Sequence, residues 1–301
     1  MAKKKSGSIA IPFLVTIFLG LLIVGGGAYG IYRYFGFGGN EKPKEPTPQV
    51  ALYVPTEEDS HTMLLMLDSA EAPDKKSSVT FVLLRSIPVK KKVVLIGVPS
   101  NTIIYDSEQG RQLKLRDEYD NGGPAAAKSF VEKTFGVTVD RYIKFDSDAF
   151  RKACTILGLV SYRVDIDIAG LNSGTLQKLN EEQIERYITY SLFDGGEETR
   201  AWVAASITES MLNQTDGLRI ADQLDSYFDT IVDMTTNDIN VVDKNNYTKA
   251  IKYLFENGSG MATCFKLDRA SGESATSQDF RPSQGTIDYI VRQYFTEDTE
   301  Q

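Results

Sequence analysis

Histidine, cysteine and tryptophan are scarce in this 301-residue chain, which contains one, two and one of them, respectively. A Ser-His-Asp triad or a histidine metal site would depend on His61, and no other ligand surrounds it at the usual spacing. A glycine-rich phosphate loop, a Cys-x-x-Cys pair and a Gly-x-Ser-x-Gly elbow are also absent. The common hydrolase, zinc and nucleotide-binding classes are therefore without support, and we expect His61 to face solvent at the start of a strand.

The two cysteines leave two interpretations open. Cys154 and Cys264 are compatible with one disulfide in an oxidising compartment. They are equally compatible with two buried thiols in a large domain. The sequence alone does not decide between them.

An excess of basic residues is missing as well. The net charge is −8, and the residues after 48, with 27 basic and 39 acidic side chains, carry −12. Nucleic-acid binding needs clustered cations that neutralise phosphates. We therefore expect no nucleic-acid partner.

A long apolar run lies near the N-terminus. Residues 9–32 carry no charge and are numerous enough to cross the ~30 Å hydrocarbon layer as a helix. Basic residues in 1–8 favour a cytoplasmic N-terminus. This predicts a single-pass cell-membrane protein with a Gly/Pro-rich linker at 33–48 and an extracytoplasmic domain at 49–301. A cleaved signal peptide is the competing interpretation, but its apolar region is normally shorter.

The remaining pattern predicts an α/β fold with a central mixed β-sheet flanked by helices. Residues 93–98 are almost all apolar and rich in β-branched side chains, as in a strand covered on both faces, and Pro99 ends it. The short apolar runs 63–67 and 79–84 are also strands, and a hairpin connects the second to 93–98. Further strands are predicted at 141–145, 162–168 and 263–267, and helices at 125–135, 148–157, 180–190, 200–212, 220–232, 246–255 and 286–295.

Seven stretches occur in the order in which one known family carries its motifs. They are 63–68, 93–102, 114–119, 122–124, 141–146 with Phe150, 157–158, and 179–190. In this order the chain resembles a divergent member of the LytR-CpsA-Psr family, bacterial envelope proteins also described as cell envelope-related transcriptional attenuators. The resemblance extends from about Thr62 over nearly all of the remaining chain.

The resemblance implies a specific chemistry. Family members are understood to transfer glycopolymers from a polyprenyl-pyrophosphate carrier to peptidoglycan, with arginines clamping the pyrophosphate and acidic residues holding Mg²⁺. Forked cationic donors and a hard metal ion neutralise the charge of the leaving group. The implied partners are a membrane lipid or polyprenyl phosphate and the cell-wall glycopolymer machinery.

The chain departs from the family pattern where the charges belong. The family's Arg-Ser-Asp-Thr is 77–80 here and reads Ser-Ser-Val-Thr, and its Pro-Arg-Asp-Thr is 99–102 and reads Pro-Ser-Asn-Thr. Its Arg-Tyr-Arg is 189–191 and reads Thr-Tyr-Ser. Glu197 replaces the first arginine of its Gly-Arg-x-x-Arg, which leaves Arg200. Each such loss removes a bidentate cation or a metal ligand, at a cost on the order of several kcal/mol.

The candidate site residues follow from these matches. Asp68 and Arg200 are the catalytic candidates because each adjoins an element end at the C-terminal edge of the sheet. Asp68 is also the candidate ligand if the family's Mg²⁺ is retained, and the sequence itself assigns no cofactor. The candidates for binding phosphate or lipid are Lys75, Lys76, Arg85, Ser100 and Asn101.

Two functional hypotheses remain. The leading one is a catalytically degenerate envelope protein that binds polyprenyl phosphate or acts as a scaffold or regulator in glycopolymer assembly. The alternative is an active phosphotransferase with a rebuilt site that uses Asp68, Arg200 and a nearby lysine.

Overall fold

The computed structural model describes residues 53–69, 79–107, 110–168, 170–274 and 277–296. They fall in one structural unit that starts at Tyr53. The predicted tail 1–8, span 9–32 and linker 33–48 lie outside these residues, as do Lys75 and Lys76. No helix in the described ranges is long and apolar enough to cross a membrane.

A six-stranded mixed sheet lies at the centre. In chain order the strands are β1 (His61–Leu67), β2 (Thr80–Ile87), β3 (Lys92–Val98), β4 (Ile103–Asp106), β5 (Arg111–Lys114), β6 (Arg141–Phe145), β7 (Val160–Arg163), β8 (Leu176–Leu179), β9 (Thr236–Asn237) and β10 (Ala262–Phe265). The central sheet has the order β10-β3-β2-β1-β6-β9, while β4-β5 and β7-β8 form separate hairpins. β1 runs parallel to β6 and β3 parallel to β10, and the other neighbours are antiparallel. The predicted mixed sheet and the β2-β3 hairpin are confirmed.

Helices cover both faces of this sheet. They are α1 (Leu115–Phe135), α2 (Ser147–Leu157), α3 (Glu181–Ile188), α4 (Gly196–Gln214), α5 (Gly217–Asp222), α6 (Leu224–Met234), α7 (Val241–Asn257) and α8 (Gln284–Tyr294). The face with α2, α3 and α4 forms one apolar core, and the face with α1 and α8 forms the other. The predicted flanking helices are therefore confirmed.

Alternation along the strands divides the side chains between the two cores. On β3, Val93 and Leu95 point to the α4 face, whereas Val94 and Ile96 point to the α1 face. All four are at most 5% exposed. A strand whose two faces are both covered needs apolar residues at every position, which is why 93–98 reads as a continuous apolar run.

Three elements differ from their predicted form. Helix α1 begins ten residues earlier than predicted and continues across a kink at Gly123, whose φ of 67° is outside the helical region. The predicted helix 220–232 is two helices, α5 and α6, because Gln223 leaves helical geometry between them. The predicted strand 162–168 is β7, which ends at Arg163 and pairs with β8 instead of the central sheet.

The expectation that His61 faces solvent is wrong. His61 is only 4% exposed, and its ring stacks on Tyr247 of α7 with centroids 4.2 Å apart. The first position of β1 is covered because α7, distant in sequence, packs over it.

The structure has both cysteines as free thiols. Cys154 is a residue of α2 and is buried in the core that this helix covers. The Cys264 thiol donates a hydrogen bond to Glu209 Oε2 at 2.8 Å.

Candidate functional site

The candidate site forms where the loop after β3 meets the start of α4. Gly97 allows this close approach, because a Cβ atom there would lie 1.9 Å from the carbonyl oxygen of Ala201 on α4. The helix therefore packs directly on the strand backbone, which sets its first turn beside the loop that contains Ser100.

Four side chains meet at this point, and we call Ser100, Glu197, Arg200 and Thr80 the clamp cluster. Arg200 is 2% exposed and holds the Glu197 carboxylate with two hydrogen bonds, from Nε at 2.9 Å and from Nη2 at 2.5 Å. Its Nη1 donates to Thr80 Oγ1 at 2.6 Å and its Nη2 to the carbonyl of Val79 at 3.2 Å. The Ser100 hydroxyl donates to Glu197 Oε2 at 2.6 Å.

The clamp cluster brings two of the replaced family positions into contact. The sequence analysis matched Ser100 and Glu197 to arginines of the family pattern, and the structure joins their side chains directly. A carboxylate then occupies the bidentate position on Arg200 that a phosphate would need. Within the described residues, Arg200 and Glu197 form an ion pair at this point.

Asp68 lies in a second group beyond the end of β1. Its Oδ2 accepts a hydrogen bond from the Tyr119 hydroxyl and contacts Lys144 Nζ, both at 3.0 Å. The side chain of Asp68 is 45% exposed. The hydrogen bond to Asp68 raises the pKa of Lys144, and burial raises the pKa of Tyr119. Lys144 therefore stays an ammonium ion beside the carboxylate.

The described residues around Asp68 do not fit the family's Mg²⁺. Magnesium takes hard oxygen ligands in octahedral geometry, usually including carboxylates. Here one carboxylate oxygen is engaged by a cation, and the sequence analysis matched Val79 to a second acid of the family pattern. Across the described ranges, no group of three His, Cys, Asp or Glu side chains could hold a metal ion.

An apolar cavity of about 180 Å³ lies between the sheet and helices α2 and α4. Its walls come from β1, β2, β6 and these helices, and include Leu67, Val82, Phe150, Ala153 and Met211. Thr80 lines it too, so the clamp cluster borders the cavity. We call this the apolar cavity.

A buried ion pair lies beside Ser69, the residue that follows Asp68. Glu185 on α3 is buried, and its Oε2 accepts a hydrogen bond from Arg151 Nε at 2.6 Å. Its Oε1 accepts one from the Ser69 hydroxyl at 2.6 Å. These contacts join α2 and α3 to the chain just after β1, so the ion pair has a structural role.

The structure brings together some predicted site residues and separates others. Ser100 and Arg200 meet in the clamp cluster, and Asp68 forms its own group with Lys144. Asn101 turns away, donating from Nδ2 to the carbonyl of Gln278 at 2.7 Å. Arg85 lies five positions along β2 from Thr80, about 17 Å away at the rise of a strand. Its Nη1 donates to Thr62 Oγ1 at 3.0 Å.

Sequence reasoning missed three members of these groups. The sequence analysis matched Glu197 to an arginine of the family pattern but did not predict that it binds Arg200, although the i, i+3 spacing of the two residues on a helix favours such a contact. Lys144 lies inside the matched stretch 141–146, next to the end of a strand, and this position was its only signal. Tyr119 lies in the matched stretch 114–119, and nothing in the sequence indicated its contact with Asp68.

The comparisons with known proteins agree with this architecture. The model of the LytR_cpsA_psr family matches residues 38–263. An uncharacterized Staphylococcus aureus protein is 32% identical over 90 residues, 30% of this chain and 22% of that protein. TagU of Bacillus subtilis, named a polyisoprenyl-teichoic acid–peptidoglycan teichoic acid transferase, is 23% identical over 164 residues, which cover 52% of each chain.

Solved structures show the same fold. A proposed transcription regulator from Eubacterium siraeum has a TM-score of 0.67 at 18% identity, covering 86% of this chain and 100% of that chain. The chain spans about half or less of the length of the curated relatives it matches. Because the family model extends over most of the sequence, the chain belongs to the LytR_cpsA_psr family.

Proposed function

We propose that this protein is a membrane-anchored, extracytoplasmic member of its family that binds the polyprenyl part of a lipid carrier without transferring a glycopolymer. It would act as a scaffold or regulator of cell-wall glycopolymer assembly. The contact of Glu197 with Arg200 and Ser100 is the observation that carries the proposal.

The charge of the clamp cluster supports the loss of transfer. Pyrophosphate departure requires cations that stabilise the developing negative charge. Glu197 supplies a negative charge at the same place and accepts two of the hydrogen bonds that the buried guanidinium of Arg200 donates. A pyrophosphate would have to displace this carboxylate and then lie beside it, which electrostatic repulsion opposes.

The apolar cavity supports the binding of a prenyl chain. Its lining is almost entirely hydrocarbon, so a segment of an apolar chain would be taken from water favourably. At about 180 Å³ it is smaller than the ~300–1,000 Å³ of typical ligand pockets. It would therefore hold only one or two isoprene units near the carrier's head, and TagU, whose name includes a polyisoprenyl-linked substrate, gives the carrier class.

The N-terminal sequence supports the proposed membrane anchor and the extracytoplasmic location of the folded unit. The uncharged run 9–32 after a basic tail is long enough to span a bilayer and would leave the folded unit outside the cell. An anchor of this kind would tether the folded unit to the membrane in which the carrier resides.

The alternative is an active transferase with a rebuilt site. One contact favours it, because Lys144 places a cation beside Asp68 at 3.0 Å, near the end of β1. In this reading Lys144 would neutralise phosphate charge in place of the missing arginines. A lysine is a point charge on a flexible stem and does not reproduce the arginine fork.

Binding and turnover of the full chain in detergent separate these functions. Trp202, the only tryptophan, is on α4 and packs against the core that forms the apolar cavity. We expect its fluorescence to saturate with undecaprenyl phosphate equally with and without Mg²⁺. With a polyprenyl-pyrophosphate-linked disaccharide and peptidoglycan as substrates, we expect no transferred product.

Two matched variants locate the binding. Ala153→Phe places a ring in the apolar cavity and should weaken undecaprenyl phosphate binding at least tenfold. Ala126→Phe changes a partly buried alanine on α1, on the other face of the sheet, and should leave binding unchanged. Mg²⁺-dependent product that Lys144→Ala abolishes would establish the alternative. Equal binding by both variants would overturn the assignment of the cavity.

A further inference from the structure

A second cavity lies beside the β4-β5 hairpin and is independent of the proposed function. Strand β4, the second half of α1 and the segment that leads into α8 enclose it. Its volume is about 560 Å³, within the ~300–1,000 Å³ of typical ligand pockets. We call it the hairpin cavity.

Strand β4 pairs with β5 on one side, and its other edge borders the hairpin cavity. A parallel ladder begins on that edge, because the N–H of Ile103 donates to the carbonyl of Phe280 at 2.8 Å. The N–H of Phe280 in turn donates to the carbonyl of Asn101 at 3.0 Å. Alternate residues of a strand direct their backbone groups to the same side. The N–H and C=O of Tyr105, two residues after Ile103, therefore point to this edge as well.

A proline ends this ladder after its first step. The next bond of a parallel ladder would join the N–H of residue 282 to the Ile103 carbonyl, and Pro282 has no N–H. The chain at 281–283 turns instead to residues 268–270, with backbone hydrogen bonds of 2.7 and 2.8 Å. Among the described residues, none bonds to the Ile103 carbonyl or to the Tyr105 backbone on this edge. The hairpin cavity is thus the gap that opens where the two segments separate.

The open edge of β4 has the chemistry of a strand-pairing site. The Ile103 carbonyl and the N–H and carbonyl of Tyr105 offer an acceptor, a donor and an acceptor along the edge. Unpaired groups at a strand edge form a template for another extended chain, whose own donors and acceptors match them. A peptide of about three residues would reach all three groups, because each residue of a strand adds ~3.3 Å.

The floor of the hairpin cavity is apolar. Ile103 of β4 and Ile287 of α8 are both buried, and Pro282 lies beside them. An added strand directs successive side chains to opposite faces, so one of them would lie on this floor. An apolar side chain is favoured there because it leaves water.

Cations exceed acids among the charged side chains that line the cavity. The side chains of Lys133 and Arg281 are 42% and 51% exposed, whereas the carboxylate of Asp106, which contacts Lys133 Nζ at 2.5 Å, is buried. Glu273 contacts Arg281 at 3.5 Å but does not line the cavity. An exposed pair of this kind is weak and can exchange partners. The lining therefore favours a peptide that carries an acidic residue.

From the open edge of β4, the apolar floor and the excess cation, we propose that the hairpin cavity binds an extended segment of a partner protein as an added strand. One residue of the segment donates its N–H to the Ile103 carbonyl, and its neighbours along the strand exchange hydrogen bonds with the Tyr105 backbone. The segment carries a small apolar residue next to an acidic one. Backbone bonds supply the attachment, and the floor and Arg281 supply the preference for sequence.

Isothermal titration calorimetry of the full chain in detergent tests this site with matched peptides. The first probe is acetyl-Thr-Val-Glu-Val-Thr-amide, and the second is the same peptide with its three central backbone nitrogens methylated, which keeps the side chains and removes the donors. We expect saturable binding of the first probe, at least tenfold tighter than that of the second. No binding at millimolar concentration, or equal binding of the two, would overturn the proposal. Lysine in place of the peptide's glutamate should weaken binding at least threefold, and equal binding would refute the preference for an acidic residue.

Two variants of Tyr105 separate its backbone from its side chain. Tyr105→Ala keeps the N–H and should bind the first probe within threefold of the parent protein. Tyr105→Pro removes the N–H at an edge position, where proline is compatible with a strand, and should weaken binding at least tenfold. Equal binding by the two variants would refute the assignment to β4.

Two further measurements complete the test. Normal undecaprenyl phosphate binding by Tyr105→Pro should show that the fold is intact and separates this site from the apolar cavity. If that variant does not fold, the methylated probe still decides. A peptide-free dimer that Tyr105→Pro dissociates would assign the edge to a second copy of the chain and overturn the proposal.

Discussion

The Ser100 hydroxyl and the Glu197 carboxylate are joined by a hydrogen bond of 2.6 Å across 97 residues of sequence. The sequence analysis matched both residues to arginines of the family pattern, and this correspondence stays a prediction. Glu197 also binds Arg200, so its carboxylate links the loop after β3 to the buried guanidinium.

Glu197→Gln should expose this relationship. The variant removes the negative charge that Glu197 places on the buried guanidinium of Arg200, so the free energy of unfolding should fall by about 3 kcal/mol, the lower end for a buried pair because Glu197 is partly exposed. The released donors should bind undecaprenyl phosphate at least about tenfold more tightly, as charge-assisted hydrogen bonds are worth about 1.5–3 kcal/mol. Urea unfolding and the Trp202 titration measure the two effects.

The neighbouring acid provides the control for Glu197→Gln. Glu198 also forms an ion pair, with Arg269, but it does not contact Arg200 among the bonds described. Glu198→Gln should leave the affinity for undecaprenyl phosphate unchanged. If both variants bind the phosphate like the parent protein, Glu197 does not block the clamp cluster.

The central strands could be predicted because local pattern determines them. Short apolar runs at 63–67, 79–84 and 93–98 all lie in the sheet, since strands covered on both faces have no polar side. The partner of a strand is not a local property, and β7 therefore pairs with β8 although its sequence reads like a central strand. The kink at Gly123 was visible as a turn signal, but the helical residues on both sides of it were not.

The site could be predicted less well because its contacts are long-range. The sequence located Ser100, Arg200 and Asp68, all on motifs of the family. It did not indicate that Glu197 bridges the first two, or that Lys144 from the adjacent strand neutralises Asp68. These contacts depend on how α4 and β6 pack against β1 and β3. The packing of elements that are distant in the chain cannot be read from a short stretch of sequence.

Thiol titration should distinguish the two interpretations of the cysteines. Burial raises the pKa of both Cys154 and Cys264 to about 12, and the contact with Glu209 adds to the effect at Cys264. At pH 8 only about one thiol in ten thousand would be ionised, so reaction with Ellman's reagent should be slow in the folded protein. Unfolding in guanidinium without a reductant should release two thiols per chain.

A single-site variant calibrates this measurement. Cys264→Ser keeps a donor for Glu209 and should reduce the count to one thiol after unfolding. A parent protein that yields no thiol after unfolding would contain a disulfide and contradict the structure.

The burial of His61 should make stability depend on pH. Burial lowers the pKa of His61 to about 4, whereas the unfolded chain has its ordinary value near 6.5. Between these values the unfolded state binds more protons, so this contribution is complete above pH 6.5 and is lost as the pH falls towards 4. The loss should reach about 2 kcal/mol at pH 5, measured by urea unfolding at pH 7 and pH 5.

Other charged residues around His61 also affect stability between pH 5 and pH 7, namely Asp59, Asp140, Asp243 and Arg85. A variant is therefore needed to isolate the contribution of His61. The His61→Gln variant has no imidazole to titrate. Between pH 7 and pH 5, its free energy of unfolding should therefore fall by about 2 kcal/mol less than that of the parent protein. If both proteins lose the same free energy of unfolding between pH 7 and pH 5, burial does not lower the pKa of His61.

Gly97→Ala should separate α4 from the sheet that it packs against. The new methyl group would lie 1.9 Å from the Ala201 carbonyl oxygen, so the helix must move. We expect a loss of at least about 3 kcal/mol, the upper end for overpacking, because the obstacle is backbone. The shift should also lengthen the Ser100–Glu197 contact and weaken the hydrogen bonds between Glu197 and Arg200.

Gly285→Ala is the matched control. Its Cβ would contact only Ser283 Oγ, at 3.7 Å, and it lies in a helix, where alanine is favoured over glycine by up to about 1 kcal/mol. Thermal unfolding should therefore move in opposite directions for the two variants, and equal shifts would mean that close packing at Gly97 does not position the clamp cluster.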